Sequence, residues 1–168
     1  MITFMEMFLK ELEQESIGTE KMLALVPADK ADWKPHPKSM KLKDLATHIA
    51  DLPSWITLGL TTSELDFAKT PYNPRDCKNG AELVNYFEDN AAEAKANLLK
   101  SKEAILDEIW TMRSGPIVYI TLTKLETIRH AFCQLVHHRA QLGVYLRMLD
   151  IPIPGVYGPS ADESGMKA

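Results

Sequence analysis

One stretch, Arg129 to Arg147 (RHAFCQLVHHRAQLGVYLR), constrains this chain more than any other. Around it, apolar residues recur at Leu125, Ile128, Phe132, Leu135, Leu142, Leu146 and Leu149, the three-and-four spacing of one helical face. The spacing predicts a long amphipathic helix from about Thr121 to Leu149. Residues four apart on a helix lie one above the other. Gln134 and His138 can therefore point towards one spot, with His138 at the border of the apolar stripe and Gln134 further round. His130 and His137 turn towards the outside, and Arg139 interrupts the stripe.

A helix with one apolar stripe must bury it against another element, and three further segments supply partners. Ile2 to Leu25 carries Phe4, Phe8, Leu12, Met22 and Leu25 at helical spacing. Its middle is weakened by Gly18, and Pro27 stops it. Ala28 to Met40 is a loop in which Trp33 fills a gap in the core, and Ser39 is a candidate N-cap for the next helix. That helix aligns Leu42, Leu45, Ile49, Leu52 and Ile56 on one seam, with His48 at the seam's edge and Pro53 predicted to kink it. Thr61 to Asn79 is a linker without periodicity. Gly80 to Ser101 forms a third helix on Leu83, Phe87, Ala91, Ala94 and Leu98, and a short helical turn follows over Glu103–Ile109. Trp110 to Thr121 is extended, but a lone strand has nothing to pair with, so it reads as irregular. The tail from Ile151 to Ala168 is held open by prolines. The pattern predicts an all-α protein, a four-helix bundle, as a single domain over residues 1–168.

Composition narrows the function classes. The 168 residues carry a net charge of −4 with basic residues dispersed, so no Lys/Arg stripe exists to track phosphates and nucleic acid is not the expected partner. Apolar runs fall short of a membrane span. Met1 to Leu12 has acidic residues and no basic leading region, unlike a secretory signal. Two cysteines, Cys77 and Cys133, are too few for a disulfide framework, and the cytoplasm is the expected location.

Three constellations carry candidate chemistry. His48, His138 and one of Gln134 or His130 offer donors for a divalent metal, three protein ligands leaving positions for water or substrate. The alternative is a pair of hydrogen-bonded histidines at a core edge. Cys133 and His137, also four apart, form a potential thiol–imidazole pair, against which Cys133 reads as a small packing residue. Arg139 requires a buried partner, either a carboxylate from another helix or the tail (Asp162, Glu163) or an anionic substrate. The sequence contains no phosphate-binding loop, GxSxG, HExxH or CxxC motif.

Taken together, His48-x6-Trp55, the run QLVHHRAQL (Gln134 to Leu142) and the ending IPIPGVYGPSADE (Ile151 to Glu163) resemble the DinB family of small DNA-damage-inducible proteins, which is distinct from the polymerase of that name. The resemblance spans nearly the whole chain, including WKPHPKSMKL ahead of His48. It implies a four-helix bundle with up-down-down-up connection, commonly a homodimer. It also implies a divalent metal, zinc or nickel, held by one histidine of the second helix and two from an H-x3-H-R-x-Q motif. By position His48 is the first ligand and His138 the last, while Gln134 stands where the pattern has its middle histidine. An amide oxygen is a harder, weaker ligand than imidazole. Characterised members include transferases and isomerases using low-molecular-weight thiols such as bacillithiol or mycothiol. The resemblance thus implies a metal-dependent enzyme acting on a small molecule, a thiol among the candidates. The competing expectation is a non-catalytic bundle that binds a ligand or partner with its metal site weakened by Gln134.

Overall fold

Two of the helices begin at a threonine followed three residues later by a glutamate. Thr3 accepts from the Glu6 backbone N–H while the Glu6 carboxylate accepts from Thr3 N–H, and Thr123 and Glu126 repeat the arrangement. Such capping boxes satisfy amide groups that a helix start otherwise leaves without partners. They open α1 (Phe4–Ala24) and α4 (Lys124–Met148); between them lie α2 (Leu42–Thr61) and α3 (Gly80–Lys100), the latter capped by Asn79. The computed structural model describes residues 2–163; the end of the tail beyond Glu163 lies outside the described residues.

Ser39 does not cap α2. The cap position is Lys41, and the first amides are satisfied by loop carbonyls instead: Leu42 N–H donates to Trp33 O at 2.8 Å and Lys43 N–H to Ala31 O at 3.0 Å. Trp33 is thereby fixed, half-buried, with its ring edge-on to Tyr145 at 5.6 Å. Gly18 does not interrupt α1 either. The tail crosses the helix there, and a β-carbon at residue 18 would lie 2.8 Å from Val156 Cγ1, so the bare backbone is what lets the tail pack closely.

The all-α expectation is corrected by a small sheet. The segment read as irregular is a hairpin, β2 (Ile109–Ser114) and β3 (Ile117–Thr123), and the linker after α2 contributes a short parallel partner, β1 (Glu64–Asp66), in the order β1-β2-β3. The strand is not alone: a tight turn returns β3 against β2, and the distant linker supplies β1. Gly115, at φ +55°, and Pro116 form the two-residue connection; positive φ at its first central position is what a type II′ hairpin turn requires. Asp66 locks the corner, accepting from Gly115 N–H at 2.9 Å and Ala68 N–H at 3.0 Å.

Residue pairings give the helix directions. Asn90 and Asn97 of α3 meet Ala50 and Thr57 of α2, so these neighbours run parallel, which is why a long crossover must join them. Phe8 stacks on Phe132 at 5.9 Å and Glu15 meets Arg139, so α1 and α4 also run parallel. Lys124 reaching Leu60, and His48 beside His138, make α2 and α4 antiparallel. The core has two buried halves, one around Leu23, Leu45, Ile49, Phe87 and Leu142, the other around Phe8, Ile56, Leu98, Ile128 and Phe132. Trp55 and Ala91 pack against both.

Arg139, 3% exposed, finds its carboxylate on α1 rather than in the tail: Nη2 lies 2.6 Å from Glu15 Oε2, with Glu15 itself 2% exposed. Nη1 donates to Glu15 O and Thr19 Oγ1, both at 3.1 Å, and Nη2 to the Tyr157 hydroxyl at 2.9 Å, which donates onward to the Glu15 carboxylate. Asp162 pairs with Arg147 instead, and Glu163 carries no contact to Arg139. Removing one member of such a pair strands the other's charge in the core. Arg139→Ala should lower unfolding free energy by about 3–5 kcal/mol, measured by urea denaturation. A change comparable to that of a surface substitution would mean the pair does not hold α1 to α4.

Candidate functional site

His48 follows from the α2 seam. Leu45, Ile49 and Leu52 are buried, so the position between them sits at the seam's edge, half-buried, facing α4. From the other side α4 presents His138, likewise half-buried, beside the fully buried Arg139. The structure brings these two predicted residues together: their ring centres are 4.8 Å apart and the planes cross at 78°.

Both imidazoles are biased towards the neutral form. Burial lowers the His48 pKa first, the neighbouring His138 lowers it further, and Asp51 partly opposes the shift. Burial also lowers His138, opposed by its contact with Gln141. That contact sets the tautomer. Gln141 Oε1 can only accept, so His138 Nδ1, 2.8 Å away, donates, and its Nε2 keeps a free lone pair. Gln141 Nε2 in turn meets His137 Nε2 at 3.1 Å, consistent with the same amide orientation.

Gln134 joins the same region, but its amide nitrogen lies 3.4 Å from His130 Nε2, leaving Oε1 as the available donor atom. Gln134, His130, His48, Leu52, Trp55 and Met112 line a cavity of about 200 Å³. His130 therefore does not turn outward as its helical angle predicts; the hairpin residue Met112 and Trp55 build a wall beyond the helix and bring it inside. On its other side His48 borders a second cavity, about 340 Å³, between the start of α2 and the crossover residues Tyr72–Asp76. The thiol pair is not assembled: Cys133 is exposed, and the hydrogen bond recorded for the His137 ring runs to Gln141.

Sequence reasoning missed Asp51, Tyr72 and Tyr86. Asp51, 7% exposed, follows His48 by three residues and takes the Tyr86 hydroxyl. Burial and then Asp51 push the Tyr86 phenol up to about 12. Tyr72 is raised by burial and then by the same carboxylate, and its ring stands edge-on to His48 at 6.5 Å. An acidic residue three positions after a seam histidine was a visible signal. Tyr72 had none, because pairing of β1 with β2 helps set the crossover's course and no periodicity encodes it.

The donor set can be tested against a divalent ion. An ion about 2.0–2.1 Å from each ligating nitrogen sets two ring centres about 4.5–5.2 Å apart for bond angles between square and tetrahedral. The observed 4.8 Å falls inside that range. The ring separation is thus compatible with a shared ion and equally with an edge-to-face contact between the two imidazoles. Among the described residues no group of three His, Cys, Asp or Glu side chains converges to hold one.

A helical bundle with a small hairpin, and two histidines from separate helices facing each other, define the class. Within it, the chain belongs to the DinB family, whose model matches residues 1–166. A DinB-like protein from Bacillus subtilis superimposes with a TM-score of 0.69 at 16% identity, covering 89% of this chain and 97% of that one. A DinB-like protein from Bacillus cereus gives 0.66 at 18% identity, covering 89% and 95%. No curated protein matches in sequence. Among the described residues no helix is long and apolar enough to cross a membrane.

The depressed histidines make a pH prediction. A base whose folded pKa lies below its unfolded value contributes stability above about pH 6.5 that is lost as pH falls through the folded value. In a proton NMR titration His48 should show a midpoint below about 6.5, moving lower in Asp51→Asn and higher in His138→Ala. A His48 midpoint at or above the unperturbed value would contradict its buried, paired setting.

Proposed function

We propose that this chain is a divalent-metal-dependent enzyme acting on a small molecule, with zinc or nickel held by His48, Gln134 and His138. The observation that carries this reading is the 4.8 Å approach of two neutral imidazoles from antiparallel helices. A bound divalent ion supplies Lewis acidity that favours ionisation of a substrate thiol or water near neutral pH. The chain's own residues prepare the place for it. His138 is oriented by Gln141 with its Nε2 lone pair free, and Asp51 lies close enough to act on the His48 imidazole. Trp55, Leu52 and Met112 line the inner cavity with apolar surface that limits water.

A transferase acting on a low-molecular-weight thiol is the substrate class the family suggests for this site. A homodimer is the corresponding assembly, and the parallel α2–α3 and α1–α4 pairings support the up-down-down-up order.

A second reading has its own observation. The Gln134 amide nitrogen is engaged by His130, and an amide is a poor substitute for imidazole. On that reading the pocket binds a ligand or partner without metal chemistry.

Metal titration of the purified chain beside Gln134→His and His48→Ala separates the two. The enzyme reading expects one zinc or nickel ion per chain, bound about an order of magnitude more tightly in Gln134→His and lost in His48→Ala. A wild-type chain that stays metal-free where Gln134→His loads fully would remove the chemical basis of the enzyme reading.

A further inference from the structure

Several hydroxyls on the helices of this chain are satisfied by their own backbone. Thr19, Thr62 and Thr127 each donate to the carbonyl four residues earlier, at 2.7–2.9 Å. Thr47, 6% exposed in α2, does not, and its Oγ1 is the buried side-chain polar atom left without a hydrogen-bond partner among the described residues. A buried hydroxyl with no partner is costly, and native structures rarely keep one without a reason. Thr47 lines the outer cavity of about 340 Å³, next to His48.

The rim of that cavity is charged in both senses. Lys43 and Arg75 contribute two cations, Asp44 and Asp76 two anions. Lys43 Nζ lies 2.5 Å from Asp76, which also takes Lys78; Arg75 pairs with Asp89 at 2.8 Å and covers the Tyr86 ring. These pairs are solvent-exposed, and exposed ion pairs contribute little and open at small cost. A ligand carrying one charge would leave half the rim opposed to it, whereas a ligand carrying both can exchange with the Lys43–Asp76 pair.

From these observations we infer that the outer cavity is a binding subsite for a small zwitterion of the amino-acid type. Its carboxylate meets Lys43, its ammonium meets Asp76 or Asp44, and a polar atom satisfies Thr47. This deepens the reading above, because His48 is shared by the two cavities: the subsite would hold the polar end of a substrate whose reacting end faces the imidazoles.

The test is an amide NMR titration of the full chain, as purified and after chelator treatment, with L-alanine, propionate and ethylamine as probes. L-alanine should saturably shift the amides of Lys43, Thr47, Tyr72, Arg75 and Asp76, while propionate and ethylamine, each lacking one charge, should bind about tenfold more weakly. Thr47→Val should weaken L-alanine binding by about tenfold, and Thr47→Ser should restore it. Equal binding of propionate, indifference to Thr47→Val, or no shifts at these residues would overturn the subsite. L-alanine binding that persists in chelator-treated protein, with no metal loading, would defeat the enzyme reading and leave the subsite standing. Metal loading without L-alanine binding would do the reverse.

Discussion

The Arg139–Glu15 pair is the interaction on which the arrangement of this molecule depends. An arginine placed in the apolar stripe of α4 can be buried only against a compensating charge, with its remaining donors satisfied. Glu15, Thr19 and Tyr157 meet that demand. In doing so they set the rotation of α4 against α1 and draw the tail across Gly18. Because His138 precedes Arg139, fixing one side chain towards α1 turns its neighbour towards α2. The placement of the candidate centre is thus coupled to a structural ion pair on the adjoining face of the same helix.

The centre is organised around His48 rather than around the ligand-rich run on α4. Its ring stands between two cavities of different character, one walled by Leu52, Trp55 and Met112, the other by charged groups and Thr47. Asp51 ties it to Tyr86 and Tyr72, so the crossover is anchored to the helix that carries the imidazole. The hairpin contributes Met112 to the inner wall, giving the small sheet a part in shaping the site as well as in holding the crossover.

The helices were legible because each buries one stripe, and three-and-four spacing reports burial directly. His48 and His138 were legible as residues at stripe borders. What periodicity could not convey was anything built by non-local pairing. The stretch Trp110 to Thr121 looked unpartnered because one of its partners, Glu64–Asp66, lies in a linker with no pattern of its own. His130 was assigned to the outside by helical angle, but inside and outside are decided by what covers the helix, here Trp55 and Met112. Arg139 was correctly read as needing a partner, yet Asp162 and Glu163 were nearer in sequence than Glu15. Nothing in a local window marks a carboxylate 124 positions away.

The parallel pairing of the first and last helices bears on how the chain acquires its shape during synthesis. Phe8, Glu15 and Thr19 emerge early, but the residues that cover them, Phe132 and Arg139, emerge only near the end. Until then Glu15 has a carboxylate without its guanidinium, although Ile56, Ala94 and Leu98 already share the core cluster of Phe8. Closing α1 onto α4 therefore spans 124 positions of sequence, a non-local contact of the kind that forms slowly.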